Sequence, residues 1–442
     1  MTTTKNNEHK KLNFSSEREQ SQACLNSAEH EKNQGRKVLN VPNLRFKEFQ
    51  GEWEKCKLGN IANITGGYAF KSDTLNSIGG KYQVVKMGNL YQNQLDLHRS
   101  PSYTDTLTRK AENVILRKDD IAITLTGTNN KKDFGYTYIF NDEKNLLLNQ
   151  RCGLIRAKGN PYFLSCLLKT HTFLNQFFES ATGGTGNQAN VSTKAMEMFS
   201  VNTPSLKEQE KIGQLMALLD ERIATQNKII DKLQSLIKGL NDSLYAQYGD
   251  KVLTSFAELG TSYSGLSGKS AQDFGSGKPF ITYLNVYSNN VINENDFQYV
   301  AIKNGEKQNI VEYGDVLFTL SSETPEEVGI GSVYLGKEKV YLNSFCFGIH
   351  ITNMEVAFPP YLSYYVSSTA FRKFIYPYAQ GSTRFNLCKA DFEKASIKLP
   401  TLENQKRIYS ILSHIDSKIE TEIQMLNLYN SQKQYLLRQM FI

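Results

Sequence analysis

The chain has 442 residues, with 51 Lys and Arg against 44 Asp and Glu, a formal charge of +7. That length leaves room for about three domains, each able to bury its own core. No apolar run reaches the length of a membrane span, and the mild positive charge permits nucleic-acid binding without demanding it. The cysteines Cys24, Cys56, Cys152, Cys166, Cys346 and Cys388 are scattered, so spacing indicates neither a zinc site nor a disulfide framework, and a reducing cytoplasm fits best.

Residues 1–37 are polar, rich in Lys, Glu, Asn, Gln and Ser, and read as a disordered tail without a signal peptide. Residues 38–203 form a first globular lobe. Its β-branched and aromatic runs at 82–87 and 120–125 predict strands, and Pro161 opens a helix over 161–178 that closes the lobe. A long helix follows over 204–248, opened by Pro204 and a capping box of Ser205 with Glu208. Its apolar residues recur in steps of four and three: Ile212, Met216, Leu219, Ile223, Ile230, Leu233, Ile237, Leu240, Leu244. That is a coiled-coil seam, interrupted by Gln226.

A second lobe over 249–399 repeats the order, with strands at 280–284 and 316–320 and a closing helix at 360–376. The last segment, 400–442, is again a long helix, in which Thr401 can cap and Glu403 complements the dipole. Its seam runs through Ile408, Leu412, Ile415, Ile419, Leu426, Tyr429, Leu436 and Met440, and Glu422 interrupts it. Shifted by 196 residues, Pro204/Pro400, Leu206/Leu402, Gln209/Gln405, Asp220/Asp416 and Leu240/Leu436 are identical, and Gln226 falls on Glu422. A repeat fixes architecture before any other reading. Each half is an α+β lobe followed by a long helix, and the matched polar breaks predict that the two helices pair with one another. Ile411, Ile423 and Leu437 lie outside the seam and predict either an exposed docking face or a wider helix contact.

The lobes also align. Gly67 through Ser72 matches Gly265 through Ser270, Asn89-Leu90-Tyr91 matches Asn285-Val286-Tyr287, and Asp120 through Thr124 matches Asp315 through Thr319. Leu148-Asn149-Gln150-Arg151-Cys152 matches Leu342-Asn343-Ser344-Phe345-Cys346. With the opening Val41-Pro42-Asn43-Leu44-Arg45-Phe46, the following Gly51-Glu52-Trp53-Glu54, the repeated Gly-x-x-x-Lys-Ser and the helix start Pro-x-Leu-x-x-Gln, the chain resembles the specificity subunit of type I restriction–modification systems. The resemblance covers residues 38–442. It implies two target-recognition domains, each reading half of a split, asymmetric DNA site, and two spacer helices packed as an antiparallel coiled coil with pseudo-twofold symmetry. It further implies a cytoplasmic, non-catalytic subunit with no cofactor of its own. S-adenosylmethionine, ATP and Mg would be used by its partners, two methyltransferase subunits that modify adenine and the motor–nuclease restriction subunits.

Repetition marks the frame, and departures from it mark where bases are read. Lys71 and Lys269, each beside a hydroxyl (Ser72, Ser270), are candidate phosphate clamps. The loops after the repeated strands diverge: Thr126, Thr128, Asn129, Asn130, Lys131 and Lys132 in one lobe, Ser321, Ser322 and Glu323 in the other. Asn and Lys suit adenine and guanine edges, and Glu can accept from cytosine. A second loop pair carries Asn187 in the first lobe and Thr383 and Arg384 in the second. Lys86, the repeated Asn89 and Asn285, and Tyr68, Tyr91, Tyr283 and Tyr287 complete the candidate DNA-binding set. The competing readings are solvated turns for the loops and packing for the tyrosines.

Three catalytic look-alikes fail on chemistry. Phe358-Pro359-Pro360-Tyr361 has no polar residue to hold a target amino group, and Asn160-Pro161-Tyr162 at the matching place marks a helix start. Gly268-Lys269-Ser270 lacks the phosphate-loop glycine, since Tyr263 stands there. His9, His30, His98, His171, His350 and His414 have no ligand spacing. Two other functions remain open at this point: a two-headed coiled-coil adaptor for protein or glycan ligands, and a self-sufficient methyltransferase.

Overall fold

The computed structural model describes residues 40–128, 130–142, 145–183, 188–248 and 251–442; the tail expected at 1–37 lies outside them. The long helices are Leu206–Gln247 and Leu402–Gln439, of 42 and 38 residues. At 1.5 Å per residue they are about 63 and 57 Å long. Every seam position named above is buried or half-buried, and most helix residues between them are exposed. Ile411 and Ile423 are exposed as expected, whereas Leu437 is buried.

The chain divides into two compact units: residues up to Asp220 together with Ser431–Ile442, and Glu221–Asn430. Each unit therefore holds one lobe, the start of the helix that follows that lobe, and the end of the other helix. In the second unit the helices run antiparallel. Arg222 Nε donates to Tyr429 Oη at 3.1 Å, and four residues on, Gln226 Nε2 donates to the Glu422 backbone oxygen at 3.1 Å and to its carboxylate. In the first unit Lys433 pairs with Asp220. The expected partnership of Gln226 and Glu422 is thus a direct contact, and Lys418, followed by Gln226, holds the Glu422 carboxyl below its ordinary pKa.

The capping expectations divide. Asn404 N donates to Thr401 Oγ1 at 3.4 Å, so Thr401 caps the second helix. The Ser205–Glu208 box does not form. Glu208 is buried and instead accepts from Arg45 Nε at 2.7 Å, Arg45 Nη2 at 2.8 Å and Trp53 Nε1 at 3.3 Å. A bidentate guanidinium is a stronger partner than a backbone amide, and it ties the chain around residue 45 to the helix start.

Each lobe carries a four-stranded antiparallel sheet with the same strand order. The first is Ala62–Gly66, Cys152–Ala157, Ile121–Thr124, Thr137–Ile139; the second is Gly260–Ser264, Cys346–Ile351, Val316–Thr319, Gly331–Val333. A three-stranded sheet accompanies each, centred on Tyr82–Val85 and on Phe274–Ile281. The strand expected at 280–284 begins earlier and stops at Ile281, because the Thr282 hydroxyl accepts from Asn285 N and starts the helix Tyr283–Ser288. Gly67 and Gly265 explain the repeated glycine. A Cβ there would sit 2.1 Å from Asn149 O or 2.0 Å from Asn343 O, so backbones meet where no side chain fits.

Each closing helix is two helices rather than one: Pro161–Leu167 with His171–Glu179, and Pro359–Tyr365 with Thr369–Ile375. Thr170 and Ser368 make the breaks. Each hydroxyl donates back to the carbonyl three residues earlier and caps the next helix through the amide of Phe173 or Phe371.

The repeated helix residues dock these closing helices. Gln209 Nε2 donates to Thr203 Oγ1 and Pro204 O, both at 3.0 Å, while its Oε1 accepts from Asn160 N at 3.3 Å. Gln405 repeats this with Pro400 O, Val356 O and Phe358 N at 2.7–2.8 Å. Asp220 and Asp416 each accept a tyrosine hydroxyl, from Tyr162 and Tyr364. At the far ends, Phe441 stacks on Phe163 at 5.2 Å and Tyr245 tilts against Tyr365 at 5.9 Å.

One prediction concerns the seam. Gln226→Ala should remove the amide that bridges to Glu422 and lower stability, whereas Gln226→Leu with Glu422→Leu should be near neutral or stabilising. Chemical denaturation of the purified chain checks both.

Candidate nucleic-acid interface

In each lobe the strand that leaves the four-stranded sheet runs straight into the divergent loop. Thr126–Thr128 pairs antiparallel with Gln188–Asn190, and Ser321–Ser322 pairs antiparallel with Phe385–Leu387. These partner strands follow the second loop pair. The two candidate loops of each lobe, about 60 residues apart in sequence, are therefore neighbours across one short ladder.

The first lobe's ladder sets Thr128 opposite Gln188. Thr126 is buried and donates its hydroxyl to Asn190 Oδ1 at 3.0 Å, and Thr128 N donates to Asp133 Oδ1 at 2.5 Å, which closes the loop. Asn130, Lys131 and Lys132 are exposed, and the Lys132 ammonium lies 5.3 Å from the Phe178 ring centroid. Asn129 and Asn187 lie outside the described residues. Beside the loop, a hairpin pairs Leu90–Tyr91 with Gln94–Leu95. Its Asn93 Oδ1 accepts from Thr137 N at 2.8 Å, and exposed Tyr91 meets Tyr136 edge-on at 5.4 Å, with Arg99 at 5.9 Å.

In the second lobe the corresponding groups line a depression of about 430 Å³, formed by Tyr283, Leu284, Tyr287, Ser321, Ser322, Glu323, Glu327, Phe345 and Arg384. Tyr283 and Tyr287 stack at 6.0 Å and 18°. Tyr283 donates to Ser321 O at 2.8 Å, and Tyr287 and Ser322 donate to the two oxygens of Glu327 at 2.7 and 3.0 Å. Burial and that carboxylate push the Tyr287 hydroxyl up to about 12, so it stays protonated and keeps donating. These contacts fix the floor. Glu323, Arg384, Leu284 and Phe345 stay exposed at the rim, Thr383 is exposed beside Arg384 in sequence, and Arg384 lies 5.9 Å from the Phe345 ring centroid.

Several candidates spend their polar groups or rings on contacts within the fold. Asn89 is buried and donates to Asp96 O at 2.9 Å and Arg99 O at 2.7 Å; Asn285 is buried and donates to Asn293 O at 2.9 Å. The repeated asparagine therefore shapes the loop beside the tyrosine. Lys86 is half-buried, and its amide donates to Asn89 Oδ1. Tyr68 packs edge-on against Phe70 at 4.9 Å, next to the core. Ser270 turns inward to Asp273 through both amide and hydroxyl at 2.8 Å.

The matched lysines differ. Lys71 and Ser72 are exposed at the start of the short helical turn Ser72–Thr74. The Lys269 side chain is 6% exposed, lies 2.5 Å from Glu306 Oε1 and donates to Ala301 O at 2.6 Å. Lys269, more than any other group, holds the Glu306 carboxyl down to about 2. The repeated lysine is a surface cation in one lobe and an internal strut in the other.

Sequence reasoning missed Arg99 and Tyr136 in the first lobe, and Leu284, Glu327 and Phe345 in the second. A signal for Phe345 was present, since it stands where the first lobe has exposed Arg151, at a break in an otherwise matched run. Among the described residues no group of His, Cys, Asp and Glu could hold a metal ion, and no helix is long and apolar enough to cross a membrane.

Known proteins share this architecture. The chain is 28% identical over 185 residues to the type I restriction enzyme EcoAI specificity subunit of Escherichia coli, covering 41% of this chain and 30% of that protein. It is 23% identical over 425 residues to the putative type I restriction enzyme MjaX specificity subunit of Methanocaldococcus jannaschii, covering 87% of this chain and 91% of that one. The crystal structure of a type I restriction–modification system S subunit from M. genitalium has the same fold, with a TM-score of 0.53 at 15% identity over 91% of this chain and 99% of that one. A family model described as the type I restriction modification DNA specificity domain matches twice, at residues 50–235 and 258–428. With both lobes and most of both helices matched, the chain belongs to the type I restriction–modification DNA specificity family.

Proposed function

We propose that this chain reads a bipartite, asymmetric DNA site, one half with each lobe, and directs adenine methylation or cleavage carried out by partner subunits. The observation that carries this reading is the ladder in each lobe that joins two divergent loops on a repeated frame. A frame that repeats while its tips differ suits two readers of different half-sites. One lobe contacts only a few base pairs, each worth about 1–3 kcal/mol, too little to stand out in a genome; two joined lobes add their discrimination. The chain supplies recognition and leaves chemistry to its partners, two methyltransferase subunits and the restriction subunits. S-adenosylmethionine, ATP and Mg act in those subunits.

Mapping modified adenines in cells with and without this gene tests the reading. A bipartite motif that disappears with the gene is expected, and an unchanged methylation pattern would overturn it. Exchanging residues 251–399 for those of a relative should change one half-site and leave the other intact, which assigns that half to the second lobe. Inserting a matched heptad in both long helices should widen the gap by about 10 Å, or about three base pairs, without changing either half-site. Altered bases with an unaltered gap would refute the ruler role of the helices.

The two lysines should separate in solution. Lys71→Ala should weaken binding to all duplexes and reduce the slope of log K against log salt by about 0.9. Lys269→Met should lower the melting temperature and leave that slope unchanged. Salt titrations and thermal melts of the same two variants check this.

A further inference from the structure

The short ladder in the second lobe pairs Ser321 with Asn386 and Ser322 with Phe385. Continued by one residue, its register sets Glu323 opposite Arg384, and both line the rim of the depression described above. Among the described residues neither side chain forms an ion pair or a hydrogen bond, and the Arg384 guanidinium lies 5.9 Å from the Phe345 ring centroid. Opposite charges thus flank the end of this ladder, both exposed and unspent on each other. In the first lobe the same places hold Thr128 and Gln188, both uncharged.

A free carboxylate on a surface that approaches phosphates is repelled by them. Its presence there calls for a ligand group that donates to it. A guanidinium beside it calls for a group with two acceptors. Only one base-pair edge in the major groove sets two adjacent acceptors beside a donor: guanine presents O6 and N7, and the cytosine paired with it presents the N4 amine, whereas in A·T the adenine N6 amine separates the two acceptors. Directly opposed residues on an antiparallel ladder lie about 4.5–5.5 Å apart at Cα, so Glu323 and Arg384, which leave the last pair Ser322–Phe385, start close enough to reach the two bases of one edge.

We infer that Glu323 and Arg384 read a single C·G pair in the half-site bound by the second lobe, Arg384 donating to guanine O6 and N7 and Glu323 accepting from cytosine N4. This rests on the DNA-reading function proposed above. The Phe345 ring limits the directions open to the guanidinium, and Ser322 with Tyr287 anchors the floor through Glu327, so both readers project from a fixed base. Glu323 also acts against wrong partners, because any pair with an acceptor in place of the cytosine amine leaves its charge opposed and unpaired.

The test uses the full chain with its methyltransferase partners, and the double variant Glu323→Thr with Arg384→Gln. These residues come from the matched ladder of the first lobe, so the backbone tolerates them. Methylation maps should show a C·G pair in the half-site assigned to the second lobe, and the double variant should accept other pairs there alone. In binding assays with the purified full chain, 7-deazaguanine at that position should weaken the wild-type protein about 5- to 150-fold and the double variant hardly at all. Should the double variant melt early, Glu323→Gln and Arg384→Gln singly carry the same comparison. A second-lobe half-site without a C·G pair overturns the inference. So does a variant that keeps wild-type discrimination, or one that loses affinity equally for every sequence. Failure of the broader function reads out separately, as a wild-type chain that directs no site-specific modification.

Discussion

One polar contact in an apolar seam constrains everything else. Each long helix carries a stripe of Ile, Leu and Met that it cannot bury alone, and such stripes pair in several registers of similar stability. Gln226 is 3% exposed, and its amide reaches both the backbone and the carboxylate of Glu422. Sliding one helix by a heptad would set that buried amide against an apolar neighbour, at about 1–3 kcal/mol for the orphaned group. The apolar stripe supplies the attraction, and the polar pair selects one register. From that register follows which helix end reaches which lobe: Tyr245 meets the closing helices of the second, Phe441 those of the first.

The repeat is a repeat of contacts as well as of letters. Gln209 and Gln405 bridge a helix start to the first amides of a closing helix, and Asp220 and Asp416 accept a tyrosine hydroxyl from that same helix. Both aspartates are approached through partly buried surroundings, and burial raises the Asp416 carboxyl above its ordinary range. Identity at these positions across two otherwise different lobes has a simple cause. A lobe can change its tips freely provided its docking to the helix stays hydrogen-bonded, because the helix is the element both lobes share.

This explains what was legible in the sequence. Seam positions, the Gln226–Glu422 partnership and the order of elements are written in period and repeat, which depend on local geometry alone. Glu208 and Lys269 were misjudged because their partners lie outside any period. Arg45 is 163 residues from Glu208, and a short-range capping motif hid the longer contact. Lys269 matches Lys71 in the alignment, yet in the second lobe Glu306 pairs with it and its side chain is buried. The break in each closing helix was hidden too, since a hydroxyl in a helical pattern reads as a helix residue until its caps are seen. The candidate site was legible as a set of loops. That two loops per lobe meet on one ladder required the strand pairing.

The tips then divide the energetics between the lobes. On the DNA-reading function, the described part of the first lobe's loop offers Asn130, Lys131 and Lys132, and its lysines gain affinity from phosphates in a salt-dependent, sequence-tolerant way. The second lobe carries a carboxylate on the same rim as the Arg384 guanidinium, which surrenders part of that attraction. A chain of formal charge +7 can bear the loss, because cations elsewhere still draw the duplex in. With Glu323 reading a base as proposed, the loss is uneven across sequences, smallest where an amine meets it and largest where an acceptor does. A reader that weakens every complex, but weakens the wrong ones more, raises the ratio between sites, and in a genome of competing sites that ratio decides which one is modified.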